Sequence, residues 1–191
     1  DMSGANTVGY DVADSGADKN CAADFNGSIC ELIEEWKAPE DELRKSALRA
    51  HRLVKPGGKL VYDSIGVGAH TGSTLKDMGH NNHYKFNAGD KVFKADKEYS
   101  PKIKNKDKFE NLKAQAWQDV ADRMRNTFNA VEKGMKFDVS ELISISSSIK
   151  EIESLKTELC SPHKDVSKRG LDMVESKKDL AKRGIASPNK A

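Results

Sequence analysis

Residues 20–36 read NCAADFNGSICELIEEW, two strand-like runs on either side of Asn26-Gly27. Asn-Gly supplies the positive-φ backbone that a tight hairpin turn needs, so this stretch is a strong local signal for paired antiparallel strands. An apolar run, TVGYDVA at 7–13, precedes it. The chain therefore opens as a three-stranded antiparallel meander, and the remaining residues have to cover that sheet.

Helical and extended patterns then alternate. PEDELRKSALRAHRLV starts at Pro39 with acids in its first turn, has Leu43, Ala47, Ala50 and Val54 at helical spacing, and stops at Pro56-Gly57-Gly58. KLVYD (59–63) is a strand, residues 73–78 a short helix and HYKF (83–86) another strand. Residues 88–108 carry lysines at 91, 94, 97, 102, 104, 106 and 108 without apolar periodicity, which reads as a basic loop. Residues 109–134 form the clearest helix, with Leu112, Gln115 or Ala116, Val120, Met124 and Phe128 on one face and Gly134 at its end. A shorter helix is expected at 149–159, and the tail from Val174 is charged. A meander joined to strand–helix units gives a mixed α/β fold, a central mixed β-sheet flanked by helices.

The 191 residues are expected as a single domain, 37% hydrophobic and 32% charged. A net charge of +2 demands no polyanion by itself. No apolar run spans a bilayer, no signal peptide opens the chain, and no Walker sequence is present. Three cysteines without CxxC spacing point to reduced thiols and an intracellular protein.

Two strands far apart in sequence each carry an aspartate at their end, Asp11 and Asp63, with a small-residue turn after each. A strand-end aspartate is commonly a turn or cap residue. Asp14 and Asp18, beside Gly16, fit that reading. Asp11 lies between Tyr10 and Val12, and Asp63 comes directly after Leu60-Val61-Tyr62, so both sit in apolar company where a carboxylate needs compensation. If the strands are neighbours, the two carboxylates meet and a cation between them relieves their repulsion. Oxygen ligands suit Mg²⁺ or Mn²⁺. Two such ions about 3.5–4 Å apart are the apparatus of phosphodiester hydrolysis.

Four blocks carry a resemblance: VGYDVADSGADKN, VYDSIGVGA, NLKAQAWQDVADRMRNT and VESKKDLAKRGIASPNKA. In that order and over nearly the whole chain they resemble the C-terminal nuclease domain of tailed-phage terminase large subunits, of the headful-packaging, P22-like kind. The resemblance implies an RNase H-like fold and a metal-dependent endonuclease that cuts concatemeric viral double-stranded DNA, using two Mg²⁺ or Mn²⁺ ions. By match, Asp11 and Asp63 are the first two metal-holding acids. The third is expected just after Ala191, beyond the block Ser187-Pro188-Asn189-Lys190-Ala191; Asp179 does not match the motif. Asp14 or Asp18 would tune the site. The family implies partners: DNA, the portal protein, the small terminase subunit and its own N-terminal ATPase domain. Nothing in the 191 residues matches that ATPase, so 1–6 reads as the end of a linker. The expected setting is the host cytoplasm, away from membrane.

Beside such a site the lysines Lys102, Lys104, Lys106 and Lys108 become candidates for DNA backbone contact. His70, His80 and His83 lack the spacing of a zinc site. Cys21 and Cys30 flank the hairpin, and reduction argues against a disulfide. Trp36 and Trp117 read as core, and Ser64 lacks a nucleophile elbow. Two alternatives stand beside the packaging nuclease: another RNase H-like nuclease of resolvase or transposase type, and a non-catalytic DNA- or portal-docking module.

Overall fold

The computed structural model describes residues 2–13, 19–37 and 42–190. Its centre is a six-stranded sheet made of β1 (Asn6–Asp11), β2 (Asn20–Asn26), β3 (Ile29–Trp36), β4 (Lys59–Asp63), β5 (His83–Phe86) and, much later in the chain, β8 (Ser144–Ile145). The strand order is β5-β4-β1-β2-β3-β8. β1, β2 and β3 form the antiparallel meander, while β4 runs parallel to β1, β5 parallel to β4, and β8 parallel to β3. The sheet is mixed, as the sequence order predicts. Asn26 pairs with Ile29, so the hairpin loop residues are Gly27 and Ser28, and Gly27 takes the positive φ of 62°. Met2 to Ala5, expected as a linker's end, packs against that turn: Ser28 N donates to Met2 O at 3.0 Å.

One face of the sheet holds the core. Val8, Tyr10, Ala22, Trp36, Leu60 and Tyr62 point to this side, where α1 (Leu43–His51) contributes Ala47 and Ala50 and α2 (Thr71–Asp77) contributes Leu75. Fully burying a leucine such as Leu60 contributes about 1.5–3 kcal/mol. The expected start of α1 at Pro39 lies outside the described residues.

The segment 88–108 is not one loop. It folds into a small hairpin, β6 (Glu98–Ser100) with β7 (Ile103–Lys104), and a helical turn, α3 (Asn105–Lys108). Lys102 sits in the turn at φ 66°, and buried Asn105 donates to Phe93 O and Lys94 O, both at 3.1 Å. These pairings use backbone and amide groups, which leave no apolar period to read. The long helix α4 (Leu112–Lys133) starts at Asn111, whose side chain caps Ala114 N, and ends at left-handed Gly134. Then come α5 (Ile152–Cys160), the hairpin β9 (Lys164–Val166) with β10 (Asp172–Val174), and α6 (Lys177–Lys182).

Candidate active site

Side chains alternate along a strand. Val8 and Tyr10 of β1 enter the core, so Gly9 and Asp11 face the opposite side; in β4, Leu60 and Tyr62 enter the core and Val61 and Asp63 do not. The parallel register pairs Tyr10 with Tyr62, and one residue further Asp11 stands beside Asp63. Neighbouring strands are roughly 4.8 Å apart, which brings the two carboxylates within reach of a shared cation. The same rung continues across the sheet: Asp63 pairs with Phe86, Asp11 with Cys21, and Cys21 with Glu35.

The second face opens on a cavity of about 990 Å³. Asp11 and Asp63 stand on its wall, with Val120 and Met124 of α4, Leu155 of α5 and residues 187–190 around it. Of the stripe read for α4, Val120 and Met124 face this cavity, whereas Leu112 and Ala116 are not on its wall and Phe128 stands 58% exposed. Trp117 lines the same cavity, while Trp36 is in the core.

Local structure fixes each acid. Asp63 accepts from Ile65 N at 3.0 Å. The turn after β4 packs so closely on the strand end that a side chain at Gly68 would lie 1.9 Å from the Asp63 carbonyl oxygen. On the β1 side the work falls to Asn20, which is fully buried. Its side chain donates to Ala13 O at 2.9 Å and accepts from Ala13 N at 3.1 Å and from the Tyr10 hydroxyl at 2.7 Å. Asn20 thus clasps the backbone two residues past Asp11. Sequence reasoning missed it, because an asparagine before a strand looks like any turn residue until the register is known. Asp14 and Asp18 lie outside the described residues.

The donor set fits a hard divalent cation: two carboxylates on one rung of one face. Among the described residues no group of three His, Cys, Asp or Glu side chains is placed to hold a metal ion. Burial, then the charges of Glu35 and Asp11, push the Cys21 thiol up to about 12. Cys21 and Cys30 sit at opposite ends of the hairpin, opposite Glu35 and Phe25, and both are free. His80 lies tilted against His51 with ring centroids 3.7 Å apart, and His83 lies tilted against Tyr62. Ser64 donates to Phe86 O at 3.1 Å and does not stand beside a base.

The candidate DNA-contacting lysines are largely engaged. Lys104 and Lys106 pair with Asp96 at 3.2 and 2.7 Å, and Lys108 pairs with Asp172 at 2.9 Å, a carboxylate it shares with Lys164. Lys102 is exposed in its turn.

A second buried cluster adjoins the rung. Lys190, with 6% of its side chain exposed, pairs with Glu158 at 2.9 Å and with Glu35 at 3.3 Å. Asn189 donates to Glu35 at 2.8 Å, and its backbone N–H donates to Glu158 at 2.7 Å. Burial works against ionisation of all three charged groups. Their mutual pairing prevails, lowering the Glu35 and Glu158 carboxyls and raising the Lys190 ammonium.

No family model and no curated protein matches the chain. Solved structures do. The nuclease domain of the large terminase subunit of bacterial virus Sf6 superposes with a TM-score of 0.88 at 27% identity, over 99% of this chain and 85% of that one. The chain is similar to a phage terminase nuclease domain. A variant of the Sf6 domain, determined with manganese and beta-thujaplicinol, gives a TM-score of 0.89 at 26% identity, over 99% and 85% of the two chains. The large terminase nuclease of thermophilic phage G20c, with bound magnesium, shares the fold at a TM-score of 0.51 and 14% identity, over 90% and 71%. The terminase-like fold is RNase H-like, a central mixed sheet with helices on both faces. In it, Asp11 and Asp63 occupy adjacent strand ends. No helix among the described residues is long and apolar enough to cross a membrane.

Proposed function

We propose that the chain is a metal-dependent endodeoxyribonuclease that cuts double-stranded viral DNA during genome packaging. The observation that carries the reading is the rung on which Asp11 and Asp63, fifty-odd residues apart in sequence, share one face at adjacent ends of parallel strands. Asp11 and Asp63 would hold the Mg²⁺ or Mn²⁺ ions, with a third acid expected after Ala191. Divalent ions held there supply water activation and stabilisation of the leaving oxygen. The chain's own part is to aim the two carboxylates. Asn20 fixes the exit of β1, and the Gly66–His70 turn fixes the exit of β4. The manganese bound to the Sf6 domain supports the choice of metal. The partners, DNA, portal protein, small subunit and ATPase domain, are those the likeness implies. The lysines Lys102, Lys104, Lys106 and Lys108 remain our candidates for backbone contact; the exposed pairs of Lys104 and Lys106 with Asp96 are weak enough to exchange for phosphates.

The test is cleavage of supercoiled plasmid in Mn²⁺, Mg²⁺ or EDTA, beside Asp11→Ala and Asp63→Ala. We expect nicking and linearisation that need the metal and vanish in both folded variants. Cutting that survives Asp11→Ala would remove the site.

A further inference from the structure

Three lysines line the same cavity as Asp11 and Asp63: Lys113, Lys177 and Lys190. They are not equivalent. Lys190, on the β3 side of the rung, is neutralised twice over by Glu158 and Glu35. Lys113, in the first turn of α4, has one polar partner for its ammonium, the carbonyl of Glu175 at 3.1 Å. Lys177 opens α6 and faces it closely enough for its charge to act on Lys113. Among the described residues no carboxylate pairs with either. Burial first, then the Lys177 charge, lower the Lys113 pKa, which is the mark of an ammonium held out of water beside a like charge.

Lys113 is tied to the β5 side of the sheet. Its backbone N–H donates to Ala88 O at 3.0 Å, and Ala88 lies two residues past Phe86, the partner of Asp63. The uncompensated positive charge therefore flanks the acid pair on the β5 side, and the compensated charge flanks it on the β3 side. A half-buried ammonium, Lys113, beside the exposed ammonium of Lys177 and without a carboxylate partner among the described residues, calls for an anion, just as two carboxylates call for a cation.

We propose that Lys113 is a phosphate-binding residue that seats a phosphodiester of duplex DNA against the Asp11–Asp63 pair from the β5 side. This rests on the nuclease reading above. Lys113 transfers no proton. It holds the backbone charge so that the scissile bond lies over the acids, and it sets the side from which the duplex approaches.

Each phosphate neutralised by a lysine contributes about 0.9 to the slope of log K against log[salt]. The test is fluorescence anisotropy of a short duplex over a salt series, with Ca²⁺ present, for wild type, Lys113→Met, Lys113→Arg and Lys133→Met. Lys133→Met makes the same charge change at the far end of α4. The expected result is a slope shallower by about 0.9 in Lys113→Met. Lys113→Arg should recover it, Lys133→Met should keep it, and the melting-temperature rise on adding Mn²⁺ should survive in all. An unchanged slope in Lys113→Met, or an equal loss in Lys133→Met, would overturn the proposal and leave the nuclease reading standing. A wild type that binds no duplex would overturn both. Should Lys113→Met fail to fold, the arginine variant decides: a guanidinium that keeps the slope supports phosphate binding, and a folded arginine variant that loses it contradicts it.

Discussion

Asn20 is as important to the candidate site as the acids themselves, because a carboxylate is only as well aimed as the backbone behind it. Its amide satisfies both the N–H and the C=O of Ala13 and receives the Tyr10 hydroxyl, all in a buried setting. Asn20→Ala would orphan three buried polar groups, at about 1–3 kcal/mol for each left unsatisfied. We expect a loss of about 3 kcal/mol in urea unfolding, allowing for partial relaxation. A loss below about 1 kcal/mol would mean that Asn20 does not hold the exit of β1. This role was not legible in the sequence, since it depends on a register that brings Asn20 across from Trp36 and within reach of Ala13. Asp11 and Asp63 were legible, because an acid inside an apolar strand run is unusual enough to ask for an explanation. The lysines at 104, 106 and 108 were legible as charge but not as ion pairs, because their partners Asp96 and Asp172 meet them only through tertiary folding.

At the scale of elements, the strands announced themselves and the tail did not. β4 and β5 match the runs KLVYD and HYKF residue for residue, because each is a short apolar or aromatic run bounded by turn formers. The hairpin at 98–104 was missed, because it is held by backbone pairing and by buried Asn105 rather than by an apolar face. The tail's docking was equally hidden: it needs Glu35 from β3, Glu158 from α5 and Lys190 to converge. That cluster makes the docking sensitive to acid. Both carboxyls are held below their ordinary values in the folded state, so the stability they contribute is fully present above the ordinary glutamate pKa of about 4.3. It is lost as pH falls through their depressed folded values. We expect amide exchange at residues 186–190 to accelerate, beyond the intrinsic rate, on acidification below about pH 4.3, before the β1–β4 core opens. In Glu158→Gln the same acceleration should already be present at neutral pH. Equal protection of the tail in that variant and the wild type would show that the ion pairs do not hold it.

The whole molecule divides its sheet between two tasks. One face is closed by α1 and α2 into a continuous apolar core, and that core holds the register of β1 against β4. The other face is left open to a cavity walled by α4, α5 and the tail, and its chemistry sits along one edge: Asp63 and Asp11 in the middle of a rung, Lys113 and Lys177 on one side, Lys190 clamped on the other. The core face holds the register that brings the two acids together from strands distant in sequence. The central claim is that Asp11 and Asp63 act as a pair in holding a divalent ion. Calorimetric titration of Mn²⁺ into the wild type, Asp11→Asn and Asp63→Asn tests it directly. Even residues that only support a ligand change metal affinity by about 10–100-fold, so each asparagine variant should lose roughly tenfold or more while keeping its fold. Either variant, folded and binding Mn²⁺ as tightly as the wild type, would contradict the account.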